Sequence, residues 1–187
     1  MLADLLIEAL WFILPAYIAN STAPDVAALT RFRGKTHPID GEKKFRGQRV
    51  FGEGKSWEGL IGGVLAGTIV GAIQMVVRPQ AQAIFTSNVS PAINLPTHSI
   101  ELAFLLAFGA LAGDIVGSFL KRRVGMPRGS PAPLLDQLDF VYGAVILSWL
   151  VSPIRLDYFG ILAFITLPIH LISNIIAWRI KIKKEPW

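Results

Sequence analysis

Five stretches of the chain run almost without interruption through apolar residues, and short polar segments separate them. They fall at about 5–29, 57–77, 100–120, 134–152 and 158–178. Each is near the roughly 20 residues that an α-helix needs to cross about 30 Å of hydrocarbon. Apolar residues occupy every face of these stretches, so they lack the one-sided pattern of helices that pack on a soluble core. In lipid the backbone must satisfy its own hydrogen bonds, and helices do this within a single segment. The pattern predicts an all-α integral membrane protein with five transmembrane helices and no second domain.

Composition agrees. Apolar residues make up 52% of the 187 residues and mean hydropathy is +0.51, more apolar surface than a soluble core of this size would use. The cations then set an orientation. Arg31, Arg33, Lys35, Lys43, Lys44, Arg46, Arg49 and Lys55 lie between the first two runs. Lys121, Arg122, Arg123 and Arg128 lie between the third and fourth, and Arg179, Lys181, Lys183 and Lys184 follow the fifth. The other two connections hold only Arg78 and Arg155. By the excess of Lys and Arg in cytoplasmic loops, 30–56 and 121–133 are predicted to be cytoplasmic, with the N-terminus outside and the C-terminus in the cytoplasm. The net charge of +5 is thereby explained without a nucleic-acid partner. Asp4 and Glu8 precede the first run where a secretory leader would carry Lys or Arg, so this run is expected to stay. With no cysteine, disulfides and thiolate metal sites are excluded.

The acids are what the membrane reading leaves unexplained. In the first run Pro15 and the segment ANSTAPD, 19–25, predict either a kinked helix whose Ser and Thr bond back to the backbone or a broken helix lining a polar cavity; Asn20 and Asp25 are secondary candidates. Asp114, Ser118 and Lys121 stand at i, i+4 and i+7, one helical face near the end of the third run. Asp136 and Asp139 share a face at the start of the fourth. If those two helices are neighbours, three carboxylates converge at the cytoplasmic membrane boundary. Three carboxylates repel unless a cation sits among them. A hard ion such as Mg²⁺ takes few carboxylates and completes its shell with water and substrate phosphates. Lys121, Arg122 and Arg123 are suited to phosphate oxygens. The competing readings are an intramembrane salt bridge for Asp114 and helix capping for Asp136 and Asp139.

A second constellation is FGEGKSWEG, 51–59. Gly52 and Gly54 permit close backbone approach to an anion, Lys55 supplies charge, and Ser56 is placed to cap the second helix and aim free N–H groups at a phosphate. The G-x-x-x-x-G-K-[ST] spacing of a Walker loop is absent. Trp57 serves equally as an interfacial anchor.

These residues resemble the signature of the phosphatidate cytidylyltransferase superfamily. Its pattern is matched by Gly113-Asp114, Ser118, Lys121-Arg122, a proline-containing turn, and Asp136 two residues before Asp139. Its Lys-Thr-Trp-Glu-Gly segment is matched by Lys55-Ser56-Trp57-Glu58-Gly59. The Lys-Asp and Gly-His-Gly-Gly elements of the bacterial and eukaryotic branch are absent, and Gln137 follows Asp136 where that branch has Arg. Together with the short chain this resembles the archaeal CDP-archaeol synthase branch. The resemblance implies a Mg²⁺-dependent, multi-pass enzyme of the cell membrane working at the cytoplasmic face. It would transfer cytidylyl from CTP to a lipid phosphate, 2,3-bis-O-(geranylgeranyl)-sn-glycerol 1-phosphate, and release pyrophosphate in membrane phospholipid biosynthesis. On that reading Asp114, Asp136 and Asp139 hold the metal, and Lys121 and Arg122 hold phosphates with Ser118 beside them. Lys55 and Ser56, with Gly52 and Gly54, take the triphosphate. No protein partner is indicated beyond membrane lipids. The alternative is a small ion or solute transporter, which also uses polar broken spans and intramembrane acids. A CDP-alcohol phosphotransferase is disfavoured because its D-G-x-x-A-R pattern is missing.

Overall fold

The computed structural model describes residues 2–34, 36–52, 54–127 and 130–181. Lys35, Arg128, Lys183 and Lys184, counted above among the cytoplasmic cations, lie outside the described residues. Among the described residues the fold has five helices: α1 (Leu2–Phe32), α2 (Trp57–Asn88), α3 (Ile100–Arg123), α4 (Leu135–Ser148) and α5 (Leu156–Arg179). The connection from α1 to α2 carries a hairpin of two short antiparallel strands, β1 (Lys44–Phe45) and β2 (Gln48–Arg49).

Four helices, α1, α2, α3 and α5, are long and apolar enough to cross a membrane. The fourth apolar run differs from expectation. Only 14 residues of it are helical, about 21 Å at 1.5 Å per residue, and the chain turns at 149–151. The second run differs in the other direction: α2 continues through Pro79 to Asn88, well past the end of the apolar run at about 77. In α1, Pro15 and Pro24 both lie inside one continuous helix. Ser21 Oγ donates to Ile18 O at 3.1 Å and Thr30 Oγ1 to Val26 O at 3.0 Å, which satisfies backbone acceptors locally. The helix is therefore continuous and not broken, with Ser21 and Thr30 bonding back to its backbone.

Glycine decides how these helices meet. Between apolar helices in lipid the attraction is mostly close packing, and small residues let backbones approach. On α2, Gly59, Gly63, Gly67 and Gly71 recur every fourth residue and so share one face. A methyl at Gly63 would stand 2.7 Å from Ala19 O of α1 and 2.8 Å from Leu111 Cδ1 of α3. On α3, Gly109, Gly113 and Gly117 repeat the spacing toward α4. A methyl at Gly109 would stand 2.9 Å from Ala144 Cα, and one at Gly143 would stand 2.8 Å from Gly113 Cα. Ile13, Ala16, Leu106, Ala110, Phe140 and Leu162 fill the centre where α1, α3, α4 and α5 meet. Outward, Ile61, Leu65, Ile69 and Ile73 on α2 and Phe164, Ile172 and Ile176 on α5 stay exposed, an apolar belt suited to lipid.

The end near the start of α1 is closed by polar bonds. Glu8, buried despite its charge, accepts from Asn94 N at 2.7 Å and from Tyr158 Oη at 2.6 Å. Trp11 Nε1 donates to Pro96 O at 3.1 Å. The carboxylate thus ties α1, the 89–99 segment and α5 together.

Enlarging Gly113 or Gly143 to alanine should destabilise the folded protein by about 1–3 kcal/mol, the usual cost of overpacking. Gly160, whose methyl would meet nothing within 4 Å, should accept alanine without loss. Thermal unfolding of the three variants in detergent checks the difference.

Candidate active site

The close approach of α3 and α4 brings their acids together at one end of the helices. Asp114 and Lys121 project from the last turns of α3, and Asp136 and Asp139 from the first turns of α4. Lys55 reaches them from the loop that precedes α2. Lys55 Nζ donates to Asp114 Oδ2, and Lys121 Nζ donates to Asp136 Oδ1. Both pairs are partly shielded, with side chains 16–29% exposed. Asp139 lies within electrostatic reach of Asp114, Lys55 and Asp136, and its Oδ1 accepts from Phe140 N at 2.7 Å. Among the described residues it makes no ion pair.

Asp114, Asp136 and Asp139 therefore lie at the same end of α3 and α4, with partners that differ from expectation. The lysines expected to meet phosphates are paired with carboxylates, because an ammonium is the nearest compensation for an acid removed from water. Two lysines pair with two of the three acids, which leaves the Asp139 carboxyl without an ion-pair partner among the described residues. Among the described residues no three acids or histidines stand close enough to hold a metal as they are. The donor set, carboxylate oxygens alone, is the chemistry that hard divalent cations take. Of the capping alternative, only the placing of an acid, Asp136, in the first turn of α4 is met; its Oδ2 accepts from Ala132 N, ahead of the helix, at 2.9 Å. Leu134, at the N-cap of α4, has no side-chain cap and sits at φ +69°.

The remaining candidates divide. Ser56 is the N-cap of α2, with extended backbone and an oxygen that accepts from Gly59 N at 3.2 Å; it is buried. Gly52 holds φ +95°, and Gly54 has open space where a methyl would stand. Ser118 is buried on α3. Arg122 donates to Met126 O and lines a cavity of about 140 Å³ with Phe45, Arg46, Gln48, Arg123 and Gly125. Arg123 serves the loop: its guanidinium lies 4.8 Å from the Phe45 ring and 5.0 Å from the Phe119 ring, and donates to Phe45 O and Arg49 O at 3.3 Å each. Trp57 is half exposed, as an interfacial anchor would be. On α1, Asp25 is exposed, and neither it nor Asn20 makes a side-chain hydrogen bond or ion pair among the described residues.

One residue was not foreseen. Asp40 is buried in the α1–α2 loop and pairs with Arg49, Nη2 to Oδ1 at 2.6 Å. Burial opposes its charge, but Arg49 and the amides of Phe51, Gly52 and Glu42 outweigh that and hold its carboxyl below the usual carboxylate range. The Asp40-Gly41 pair signals a turn; nothing in the linear sequence signals the burial.

The family model described as CarS-like, CDP-archaeol synthase, matches residues 2–187. The chain belongs to the CDP-archaeol synthase family. CDP-archaeol synthases of Methanocaldococcus jannaschii and Pyrococcus horikoshii are 41% and 42% identical over 191 and 183 residues, covering 100% and 97% of both chains in each pair. A solved structure described as an intramembrane enzyme for archaeal membrane lipids biosynthesis aligns with a TM-score of 0.67 and 38% identity, covering 91% of this chain and 94% of that one. Membership in the CDP-archaeol synthase family sets the transporter alternative aside.

The position of Asp139 against α3 is open to a direct check. A methyl at Gly117 would stand 3.0 Å from Asp139 Cβ and collide with its carboxylate. Gly117→Ala should lower CTP turnover at least tenfold while shifting the unfolding temperature far less than Gly113→Ala does. Steady-state rates beside melting curves make the comparison.

Proposed function

We propose that the cluster of Asp114, Asp136 and Asp139 with Lys55 and Lys121 is the active site of this CDP-archaeol synthase family member. The chain is a CTP-dependent nucleotidyltransferase that activates an archaeal ether-lipid phosphate to its CDP-lipid. What supports the location is the pairing of two lysines with two of three acids, with the third left without an ion-pair partner among the described residues, at one end of a lipid-facing bundle. A triphosphate offers those lysines a stronger partner, and the acids they release become available.

In the proposed reaction a phosphate oxygen of the lipid attacks the α-phosphorus of CTP. The bond from that phosphorus to the oxygen bridging to the β-phosphate breaks, and pyrophosphate leaves with the electron pair. The attacking group needs no general base, since a phosphate monoester with its second pKa near 6 is largely ionised at neutral pH. The protein's work is to position the two reactants and to balance charge spread over phosphate oxygens. Lys121 and Arg122 hold phosphate oxygens near the reacting centre, with Ser118 on the same α3 face. Lys55, next to the Gly52 and Gly54 backbone and followed by Ser56 at the start of α2, binds the triphosphate of CTP, whose β- and γ-phosphates leave as pyrophosphate. Asp114, Asp136 and Asp139 would hold Mg²⁺, which when bound supplies positive charge to the attacking and leaving oxygens.

The same reading places the site at the cytoplasmic face, where CTP is, and counts α4 as a short fifth span with the N-terminus outside. The lipid is taken to be 2,3-bis-O-(geranylgeranyl)-sn-glycerol 1-phosphate, whose chains would lie along the exposed apolar belt.

Asp139→Asn should abolish CTP-dependent pyrophosphate release while the protein stays folded in detergent; full activity would overturn the assignment. Chelation of divalent ions should stop the wild-type reaction and added Mg²⁺ restore it. Labelled CTP offered with ether-linked or ester-linked lipid phosphate should label the ether lipid. Separately, a reporter fused to the C-terminus should read cytoplasmic.

A further inference from the structure

The α1–α2 loop is built around a single buried carboxylate. The Asp40 side chain is wholly enclosed. It receives Arg49 through two nitrogens, at 2.6 and 3.4 Å, and the amides of Glu42 at 3.1 Å and of Phe51 and Gly52 at 3.2 Å each. Five hydrogen bonds on two oxygens cross-link residues 40–52 of the loop. A buried acid so well satisfied is costly to disturb, since its loss leaves five hydrogen-bond donors without their acceptor.

Those bonds lead to Lys55. The chain on either side of Asp40 and Lys55 runs antiparallel, with Ile39 N donating to Lys55 O and Trp57 N to His37 O, both at 3.0 Å. Lys55 N in turn reaches Gly52 O at 3.4 Å. Lys55 is thus bracketed, by Ile39 on one side and by the Asp40-held Gly52 on the other. The same loop meets α3 at two places, through Arg123 on Phe45 and Arg49 and through Lys55 on Asp114. Nine residues of helix separate those places, about 14 Å. A flexible loop could not hold both at once without internal cross-linking.

We propose that Asp40 is a positioning residue: through Arg49 and the Phe51 and Gly52 amides it sets the loop geometry that delivers Lys55 to Asp114 and to the triphosphate. This inference rests on the reading that Lys55 serves the triphosphate. A loop that only supported the fold would change the active fraction, and with it the apparent kcat, at constant KM. A positioning loop changes KM for CTP and is coupled to Lys55.

The experiment measures steady-state CTP kinetics and thermal unfolding of the full chain in detergent for Asp40→Asn, Lys55→Ala, the double variant and Lys43→Ala. Asp40→Asn and Lys55→Ala should each lower kcat/KM at least tenfold, mainly through KM. The double variant should be no worse than about the Lys55→Ala single, and Lys43→Ala should match wild type. Full activity in Lys55→Ala would overturn the active-site reading itself. A damaged Lys55→Ala beside a fully active Asp40→Asn, or losses that multiply in the double variant, would overturn the positioning role alone. Should Asp40→Asn fail to fold, Arg49→Gln retains the three amide donors and is expected to raise KM for CTP; an unchanged KM there would overturn the role as well.

Discussion

The absence of a side chain at Gly109, Gly113 and Gly117 of α3 and at Gly143 of α4 lets two backbones touch, and the site depends on that contact. With any methyl in the interface the helices would stand further apart, and Asp139 would move away from the α3 face that carries Asp114. In lipid, close backbone packing is also what holds two apolar helices together. One constraint therefore serves stability and chemistry together. The parallel stripe on α2, Gly59 to Gly71, seats α2 against both α1 and α3 and aims its N-terminus, with Lys55 just before it, at the same end of the bundle.

Charge balance is the second organising element. Acids at a membrane boundary are tolerated when they are paired or face water. Here Lys55 and Lys121 pair with two of them from opposite sides, one from a loop and one from α3 itself. Both lysines are bound through their side chains, which on the proposed reading turn toward the phosphates of CTP. Arg122 and Arg123, adjacent in sequence, also make local contacts, one to Met126 O and the other to two aromatic rings.

The two ends of the bundle solve the same problem in different ways. At the end near the start of α1, Glu8 is closed in by Asn94 and Tyr158, a buried acid with every bond internal. At the other end the acids stay partly accessible and the loop above them is stiffened by its own buried acid, Asp40. The first arrangement locks helices; the second accompanies a lysine paired with an acid of α3.

Much of this was legible along the chain. The apolar runs carried the helices, since a backbone in lipid has few alternatives, and the spacing of Asp114, Ser118 and Lys121 and of Asp136 and Asp139 placed each set on one face. Ser56 was readable as a cap from its position before an apolar run, and the motifs around Lys55 and Asp114 pointed to the family. Hydropathy could not show that the fourth run yields only 14 helical residues or that α2 passes through Pro79, because both depend on what the helix ends pack against. Nor could it assign Lys55 to Asp114, 59 residues apart, or bury Asp40 and Glu8. Local periodicity determines which residues share a face, but which faces meet, and which charges then lose their water, is decided only when the helices pack.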